Sequence, residues 1–399
     1  MTTTTEPVNY DPFDVEINAD PYPTYRRLRE EAPIYRNDAY DFWALSRHAD
    51  VERGLVDWET FSSSRGGILE IIQANIQMPP GVFIFEDPPI HAMHRGLLSR
   101  VFTPRKMNAL EPQVRAYCAQ ILDPLIGSGD FDFVVDLGKE MPMRVIGMLL
   151  GIPDSLQPAV RAKADADLRV EPGKPMQPKQ ENFLTGELFE EYLDWRKDNL
   201  GDDVMSDLMR AEFEDVDGVV RKLTREEMLI MIQVIAGAGN ETTTRLIGWL
   251  GKVLAEHPDQ RAEIVADRSL IPNTIEETLR FEPTGPHIGR YVMRDVEYYG
   301  QTVPAGSAML LVVGAANRDE RRYPNPDRFD IHREMGQHLT FGYGIHYCLG
   351  AALARLEGRI ALDEVLDRWP EWEVDMSNAV LSPTSTVRGW ESVPATVPT

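Results

Sequence analysis

A cysteine in a glycine-rich loop, directly ahead of a helix-like run, is the feature of this sequence with the clearest potential for chemistry. The loop FGYGIHYCLG spans Phe341 to Gly350 and contains one of only two cysteines among 399 residues. Cysteine binds metals as the thiolate, and a helix N-terminus favours that negative charge. Because a helix is predicted to begin just after Cys348, the position suits a thiolate that binds a metal, although an isolated cysteine in such a turn is more often structural. The alternative is a buried structural cysteine in a turn.

The spacing of potential ligands favours haem iron over zinc at this loop. Zinc takes about four nitrogen or sulfur ligands, and only His346 lies beside Cys348. Haem iron needs a single protein thiolate, because the macrocycle supplies the other four nitrogens. Glycines at 342, 344 and 350 would let the backbone pass close to such a flat group. A metal-binding structural module remains an alternative.

The whole loop resembles FGxGxHxCxG, the haem-binding loop of bacterial soluble cytochrome P450 monooxygenases. The matching positions are Phe341, Gly342, Gly344, His346, Cys348 and Gly350. The resemblance implies a mainly α fold with small β-sheets (α+β), in which haem b lies between an oxygen-activating helix and the helix after the cysteine loop. It also implies that Cys348 is the axial ligand of the haem iron and that Phe341, Gly342, His346 and Gly350 belong to the cofactor site.

A second segment, LTREEMLIMIQVIAGAGNETTTRLIGWLGKVL, predicts a long helix that is buried nearly all round. The letters TREE open it with a capping box. A carboxylate and a hydroxyl in mid-helix are costly to bury without partners or a task. By the resemblance, AGNETT is similar to the family's oxygen-activating signature. Thr242 would then hydrogen-bond the bound oxygen, Glu241 would relay protons, and small Ala238 and Gly239 would leave room beside the haem.

Cationic side chains that would suit the two haem propionates recur at three places. HAMHR puts His91 and Arg95 one helical turn apart, which resembles the HxxxR motif of the family. Arg290 lies where the family carries another propionate arginine, and His346 in the cysteine loop completes the implied set. His94 lies off this motif and is expected at the surface or in packing.

The segment IPNTIEETLRFEP predicts a helix that ends before Pro283. Glu277 and Arg280 are three residues apart and therefore share one face of it. They resemble the family's ExxR element, and Arg328 in NPDRFD is expected to be the third member of this network. In the family the network is structural and holds the loop ahead of the cysteine.

Composition and pattern describe an acidic globular protein. A net charge of −23 argues against nucleic acid or an anionic membrane as a partner. Widely spaced cysteines, no bilayer-length apolar run and no leader-like start favour a cytoplasmic protein. We expect a single domain over 1–399 with a flexible tail at 1–15, and the family default is a monomer.

Strand patterns occur mainly near the two ends of the sequence. An opening helix is predicted in DPYPTYRRLREEAP, followed by a hairpin in IYRNDAYDFWALSR, and another hairpin is predicted near the C-terminus. The Pro-rich stretch 169–182 predicts a loop. By the resemblance it lies over the substrate pocket, where we hypothesise that it acts as a lid.

The substrate implied by the resemblance is a small apolar or amphipathic organic molecule that is hydroxylated with O₂. The apolar stretch 66–85 is consistent with an apolar ligand. Candidate substrate contacts are Ile84, Ile235 and Ala238. His287 or Arg388 is hypothesised to anchor a polar end of the ligand.

Electrons are expected from a separate ferredoxin or flavodoxin with an NAD(P)H-dependent reductase, since the sequence has no flavin domain and no iron–sulfur cysteines. A basic docking surface is predicted from two clusters: Arg95, Arg100, Arg105 and Lys106, and Arg318, Arg321, Arg322, Arg328 and Arg333. A peroxide-driven peroxygenase and a non-catalytic haem protein are alternatives. The Glu241–Thr242 pair favours the monooxygenase over both.

Overall fold

Helices dominate the computed structural model, which describes residues 6–384 and 386–399, apart from the side chains at 164, 165, 167, 168 and 182. The α-helices are α1 Val15–Ala19, α2 Tyr22–Glu31, α3 His48–Val56, α4 Leu69–Gln73, α5 Ile90–Ser99, α6 Pro104–Asn108, α7 Glu111–Leu122, α8 Met141–Leu150, α9 Gln157–Leu168, α10 Glu190–Asp198, α11 Val204–Arg210, α12 Arg225–Glu256, α13 Pro258–Ala266, α14 Ile271–Phe281, α15 Val313–Ala316 and α16 Ala351–Arg368. A π-helical turn covers Phe133–Gly138.

Short strands form five small sheets in the described part of the chain. The strands are β1 Ile34–Asn37, β2 Phe42–Leu45, β3 Phe61–Ser62, β4 Asp130–Asp132, β5 Phe213–Glu214, β6 Val220–Arg221, β7 Ile288–Val292, β8 Val296–Tyr298, β9 Gln301–Val303, β10 Ala308–Leu311, β11 Glu373–Val374, β12 Val380–Leu381, β13 Trp390–Ser392 and β14 Pro394–Thr396. The largest sheet has the order β1-β2-β10-β7-β3, and only its β2–β10 pair is parallel. A second sheet is β11-β14-β4, and β5–β6, β8–β9 and β12–β13 are antiparallel pairs. The predicted mainly α fold with small β-sheets is confirmed, including the opening helix (α2) and the β1–β2 hairpin.

The long helix α12 crosses the main hydrophobic core and packs against α8, α9, α16 and the π-helical turn. Thr224 caps it as predicted, since its hydroxyl accepts from the backbone N–H of Glu227 and the Glu227 carboxylate accepts from that of Thr224. Most of its side chains are buried, but Ala238 in mid-helix is exposed and Thr242 is half-buried. This interruption shows that one face of α12 borders an open space. No helix within 6–384 and 386–399 has both the length and the apolar character that crossing a bilayer requires.

The N-terminal segment is packed from Tyr10 onward. Tyr10 is 1% exposed and Phe13 is 6% exposed. The Asn37 side-chain amide donates to the Tyr10 carbonyl at 2.9 Å. The prediction of a flexible tail over 1–15 is therefore wrong for residues 10–15, because two aromatic side chains add to the core there; residues 1–5 lie outside the described residues.

The loop between α15 and the cysteine is held by a buried carboxylate, Glu277 on α14. Arg280 Nε lies 2.6 Å from Glu277 Oε2, and Arg333 Nε lies 3.1 Å from Glu277 Oε1. Arg328 is exposed, and only its carbonyl takes part, accepting from Arg333 at 2.7 Å. The prediction that Arg328 completes this network is wrong: the loop turns so that Arg333 points inward, where it also bonds the carbonyls of Pro324 and Asn325.

Removing the Arg333 guanidinium should destabilise the protein, because Glu277 is fully buried and would lose one of its two cationic partners. We expect Arg333→Leu to lower the free energy of unfolding by roughly 3 kcal/mol. Arg328→Leu, the matched control, should change it by less than about 0.5 kcal/mol. Urea unfolding measures both; equal losses in the two variants would contradict this assignment.

A second buried cluster centres on His94, which was expected only at the surface or in packing. Its Nδ1 lies 2.8 Å from Glu86 Oε2, and its Nε2 lies 3.5 Å from Glu227 Oε1. Arg221 also binds Glu227, at 2.8 Å. Although burial opposes the charged imidazole, the carboxylates of Glu227 and Glu86 raise the pKa of His94 to about 9. The cluster ties α5 and the segment before it to β6 and the start of α12.

The His94 cluster should make stability depend on pH in the alkaline range. Because the pKa of His94 is raised on folding, its contribution is fully present below the unfolded pKa of about 6.5 and is lost as pH rises through about 9, by up to about 3 kcal/mol. We expect His94→Gln to remove this part of the pH dependence, measured by urea unfolding between pH 6.5 and 9.5.

The matched control is His332→Gln, since His332 forms an exposed ion pair with Glu263 and such pairs contribute little. This variant should keep the wild-type pH dependence. An unchanged profile in His94→Gln would show that the buried imidazole is not charged.

Candidate functional site

The cysteine loop closes on itself just before α16. The Cys348 N–H donates to the Phe341 carbonyl at 2.8 Å, and a 3₁₀ turn covers Gly344–His346. Gly342 and Gly344 both have a φ of 69°, which glycine adopts without strain. A Cβ at Gly344 would also lie 3.2 Å from the Leu55 carbonyl oxygen. The loop thus needs glycine at these two positions, as its sequence suggested.

The Cys348 sulfur lies at the N-terminus of α16, as predicted. Burial raises the pKa of its thiol, whereas backbone N–H groups of Gly350 and Ala351 and the guanidinium groups of Arg95 and Arg355 favour the thiolate. Amide donors and nearby cations are the environment that a thiolate ligand requires. Within the described residues, no three His, Cys, Asp or Glu side chains are grouped so that they could hold a metal ion, so a metal bound at Cys348 would need ligands from a cofactor.

The predicted propionate-binding residues converge beside this loop. The His91 and His346 rings are 4.2 Å apart between centroids, and the Nε2 atoms of both are buried without a hydrogen-bond partner among residues 6–384 and 386–399. Burial, together with Arg290, His91 and Arg95, lowers the pKa of His346 to about 3. Two neutral imidazoles therefore have ring nitrogens that remain to be satisfied.

Arg290 on β7 adds a buried positive charge to this group, and Asp87 offsets it only from a distance longer than an ion pair. It is 4% exposed, its guanidinium donates to the Gly289 carbonyl, and no carboxylate in the described residues forms an ion pair with it. Burial lowers its pKa to about 10. Arg95 donates to the Tyr347 carbonyl, and burial also lowers its pKa. A buried cationic group without a counter-ion requires an anionic ligand. Two propionates and one thiolate-bound iron fit this donor set, so the residues present suit a haem.

The polar residues of α12 lie on the face that borders the open space. The Thr242 hydroxyl donates to the Ala238 carbonyl at 2.9 Å, and Ala238 itself is exposed. Glu241 forms a buried ion pair with Arg245, one turn further along the helix. Gly239 differs from the prediction, because a Cβ there would meet Ile146 of α8 at 3.1 Å. Its small size serves helix packing and does not make room beside a cofactor.

Arg245 is the functional residue that sequence reasoning missed on this helix. Its guanidinium also contacts the Ser382 hydroxyl at 3.2 Å and the Trp390 carbonyl. The i, i+4 spacing from Glu241 was the available signal.

A cavity of about 1210 Å³ lies along this face of α12. Its walls are mostly apolar and come from the segment 68–85, from α9 and the loop after it, and from α12. The lining residues include Ile68, Ile71, Ile84, Phe85, Val160, Met176, Phe183, Leu184, Val234, Ala238, Glu241, Thr242 and Val387. Ile84 and Ala238, two of the predicted substrate contacts, line it. Ile235 is buried and does not; its neighbour Val234 faces the cavity instead.

The loop 169–182 covers the cavity, where the sequence predicted it. Arg169, Lys174, Met176 and Lys179 are among its lining residues. The Met176 N–H donates to Glu70 Oε1 at 3.0 Å. The loop therefore contacts both the cavity and the opposite wall.

The two residues predicted to bind a polar end of the ligand, Arg388 and His287, bind other groups of the protein. Arg388 is 3% exposed and binds the Glu282 carboxylate and the Asn18 carbonyl, the latter at 2.8 Å. His287 Nδ1 lies 3.3 Å from the Tyr10 hydroxyl, and burial lowers its pKa to about 4. Neither residue lines the cavity. The hypothesis that either one holds a polar end of the ligand is wrong, because the packed N-terminal segment occupies that space.

A small polar cavity of about 30 Å³ lies behind α12. Its lining includes Asn240, Glu241, Thr244, Arg245, Ser382, Thr384 and Glu391. The Asn240 side-chain oxygen is buried without a hydrogen-bond partner in the described residues. The volume suits one water molecule. Glu241 lines both cavities and thus lies between them.

Comparison with known proteins agrees with this geometry. The family model of cytochrome P450 matches residues 176–391. Putative cytochrome P450 123 of Mycobacterium tuberculosis is 39% identical over 393 residues, which cover 97% of this chain and 96% of the relative. Vitamin D(3) 25-hydroxylase of Pseudonocardia autotrophica is 35% identical over 99% of this chain and 98% of the relative.

A solved structure shows the same fold. Cytochrome P450 CYP109Q5 from Chondromyces apiculatus superposes with a TM-score of 0.85 and 35% identity, over 98% of this chain and 99% of that chain. The cysteine loop, the unpaired cationic group and the relatives over nearly the full length agree: the chain belongs to the cytochrome P450 monooxygenases, a family whose cofactor is a haem iron.

Proposed function

We propose that this chain inserts one atom of O₂ into a bulky, largely apolar organic substrate, with electrons from a separate ferredoxin or flavodoxin and its NAD(P)H-dependent reductase. The observation that carries the proposal is the position of Glu241 and Thr242. Both line the large apolar cavity, and Glu241 also lines the small polar one. A sensor or a storage protein has no need of an acid between a ligand cavity and a water-sized polar cavity.

The cofactor is proposed to be haem b, with Cys348 as the iron ligand and His91, Arg95, Arg290 and His346 at the propionates. When bound, the haem supplies O₂ binding and O–O bond cleavage, which the thiolate favours. The residues of this chain provide the rest: Ala238 leaves the adjacent face of α12 open, and the apolar walls exclude water from the substrate.

Proton delivery is the task proposed for Glu241 and Thr242. A proton donor must lie within hydrogen-bond reach of its acceptor or one water away. Glu241 can receive a proton from a water in the small cavity, where Asn240 and Ser382 offer hydrogen bonds. The ion pair with Arg245 holds the carboxylate between the two cavities. Thr242 then provides the hydroxyl on the substrate side.

The substrate is proposed to be larger than the sequence suggested. Ligand cavities of about 300–1,000 Å³ hold drug-sized molecules, and this cavity measures about 1210 Å³. Its apolar lining near Thr242 and its charged residues on the covering loop suit an amphipathic molecule with its apolar part innermost. We further propose that the chain acts as a cytoplasmic monomer.

Substitution of Glu241 or Thr242 should lower turnover without preventing substrate binding. We expect Thr242→Val and Glu241→Gln each to lower product formation per NAD(P)H consumed by roughly 100-fold, while a bound substrate still shifts the haem absorption. Product and NAD(P)H are measured with a ferredoxin and its reductase. Thr243→Val is the matched control, since Thr243 is buried and does not line either cavity.

Two outcomes would contradict the proposal. Product formation with hydrogen peroxide but none with the reductase system would favour a peroxygenase. Ligand binding without any product would favour a non-catalytic haem protein.

Retained turnover in Glu241→Gln would show that this residue does not deliver protons.

Electron donors are proposed to dock on the side of α16 that carries Cys348. Helix α6 packs against α16. Arg105 on α6 and Arg100, the residue directly after α5, are exposed without an ion pair in the described residues. The second predicted basic cluster has less unpaired positive charge than expected, because three of its arginines form ion pairs. Arg318 pairs with Glu282, Arg321 pairs with Asp319, and Arg333 pairs with Glu277.

Charge reversal at α6 should slow reduction by an acidic donor. We expect Arg100→Glu combined with Arg105→Glu to lower the second-order rate of reduction on the order of tenfold at low ionic strength, with a weaker salt dependence. Stopped-flow reduction measures the rate. The control Lys197→Glu, at an exposed side chain of α10, should leave it unchanged; an unaltered rate in the Arg100 and Arg105 double variant would rule out this docking site.

A further inference from the structure

Tyr347, the residue directly before Cys348, is held at its carbonyl and at its hydroxyl. Arg95 of α5 donates to its carbonyl at 2.5 Å, and Arg355 of α16 donates from Nη1 to its hydroxyl at 3.0 Å. The two bonds come from different helices. One guanidinium group thus binds the peptide between Tyr347 and Cys348, and the other binds the Tyr347 side chain. We refer to Tyr347, Arg95, Arg355 and Glu276 as the tyrosine clamp.

Glu276 on α14 fixes the orientation of Arg355. Arg355 Nε lies 2.6 Å from Glu276 Oε1, and Arg355 Nη2 lies 2.9 Å from Oε2, a bidentate pair. The guanidinium also lies over the Phe341 ring, 4.5 Å from its centroid. His338 Nε2 is 3.2 Å from the same Glu276 carboxylate. Arg355 is therefore held by a carboxylate, an aromatic face and a hydroxyl, with little freedom to move away from the loop.

The clamp places two cations close to the residue that carries the sulfur. Arg95 binds the carbonyl of the peptide that links Tyr347 to Cys348, and Arg355 binds the hydroxyl of Tyr347, the neighbour of Cys348 in the chain. A fixed positive charge stabilises whichever state of a nearby centre carries more negative charge. At an iron–thiolate centre that state is the reduced one, and groups outside the ligand set tune potentials in this way.

We propose that Tyr347 and Arg355 are positioning residues that hold the Cys348 sulfur in place and raise the reduction potential of the iron it binds. The inference rests on the proposed function, since it requires a haem iron on Cys348. It concerns the reduction potential of the centre, and it assigns a role to two side chains that the haem-loop signature does not specify.

The experiment uses purified haem-loaded protein and measures the reduction potential by spectroelectrochemistry. Arg355→Leu removes the cation and leaves the Glu276 carboxylate with His338 as its remaining side-chain partner, so we expect an equilibrium constant for reduction about tenfold lower, equivalent to about 59 mV for one electron. Arg355→Lys keeps the charge but loses the bidentate pair, and we expect a smaller shift. Arg359→Leu is the matched control one turn along α16, where Arg359 donates to the Arg355 carbonyl.

A second measurement covers the case in which Arg355→Leu fails to fold. Tyr347→Phe removes one hydroxyl and keeps every charge. We expect its reduced carbon-monoxide complex to lose the thiolate-type Soret band on mild warming severalfold faster than the Arg359→Leu protein. Equal potentials in Arg355→Leu and Arg359→Leu, or equal band loss in Tyr347→Phe and Arg359→Leu, would overturn the proposal.

The wild-type protein separates this inference from the proposed function. If the wild-type carbon-monoxide complex shows no thiolate-type band, the proposed function fails and this inference fails with it. If the wild type shows the band and the variants match the control, only the tyrosine clamp is refuted.

Discussion

The compensation of charge around the Cys348 sulfur is the constraint on which the rest of this structure depends. A thiolate in a half-buried loop is stable only if donors and cations surround it. The N-terminus of α16 supplies amide groups, while Arg95 and Arg355 supply positive charge. Each of these cations is in turn held in place, Arg355 by the Glu276 carboxylate. The loop, α5, α14 and α16 must therefore pack together for one sulfur to be usable as a ligand.

At the other edge of the cofactor site, positive charge and hydrogen-bond donors are left without partners in the described residues. His91, His346 and Arg290 are buried with unsatisfied donors or charge. An anionic ligand that accepts hydrogen bonds would satisfy these groups. Burying these groups destabilises the protein until an anionic ligand binds and pairs with them. On helix α12, Ala238 and Thr242 border the large apolar cavity, and Glu241 lines both this cavity and the small polar one.

Much of the site could be predicted because its motifs are local. The cysteine loop needs glycines at 342 and 344 for its backbone, and Thr242 bonds its own helix four residues back. The predictions were wrong for side chains that bind partners far away in the sequence. Arg333 reaches Glu277 where Arg328 was expected, and the buried Arg388 binds Glu282 and the N-terminal segment. Gly239 faces α8, a fact that helical periodicity alone does not reveal without knowing which neighbour lies on which side.

By itself, the sequence determined the helices, the thiolate position and the family, because each depends on residues close together in the chain. Only the tertiary structure decided which cations remain unpaired, which residues face the cavity and how large that cavity is. The physical reason is that burial and ion pairing are set by packing between distant segments. The sequence does not show whether an arginine is exposed to solvent, paired with a carboxylate, or buried where a ligand must pair with it.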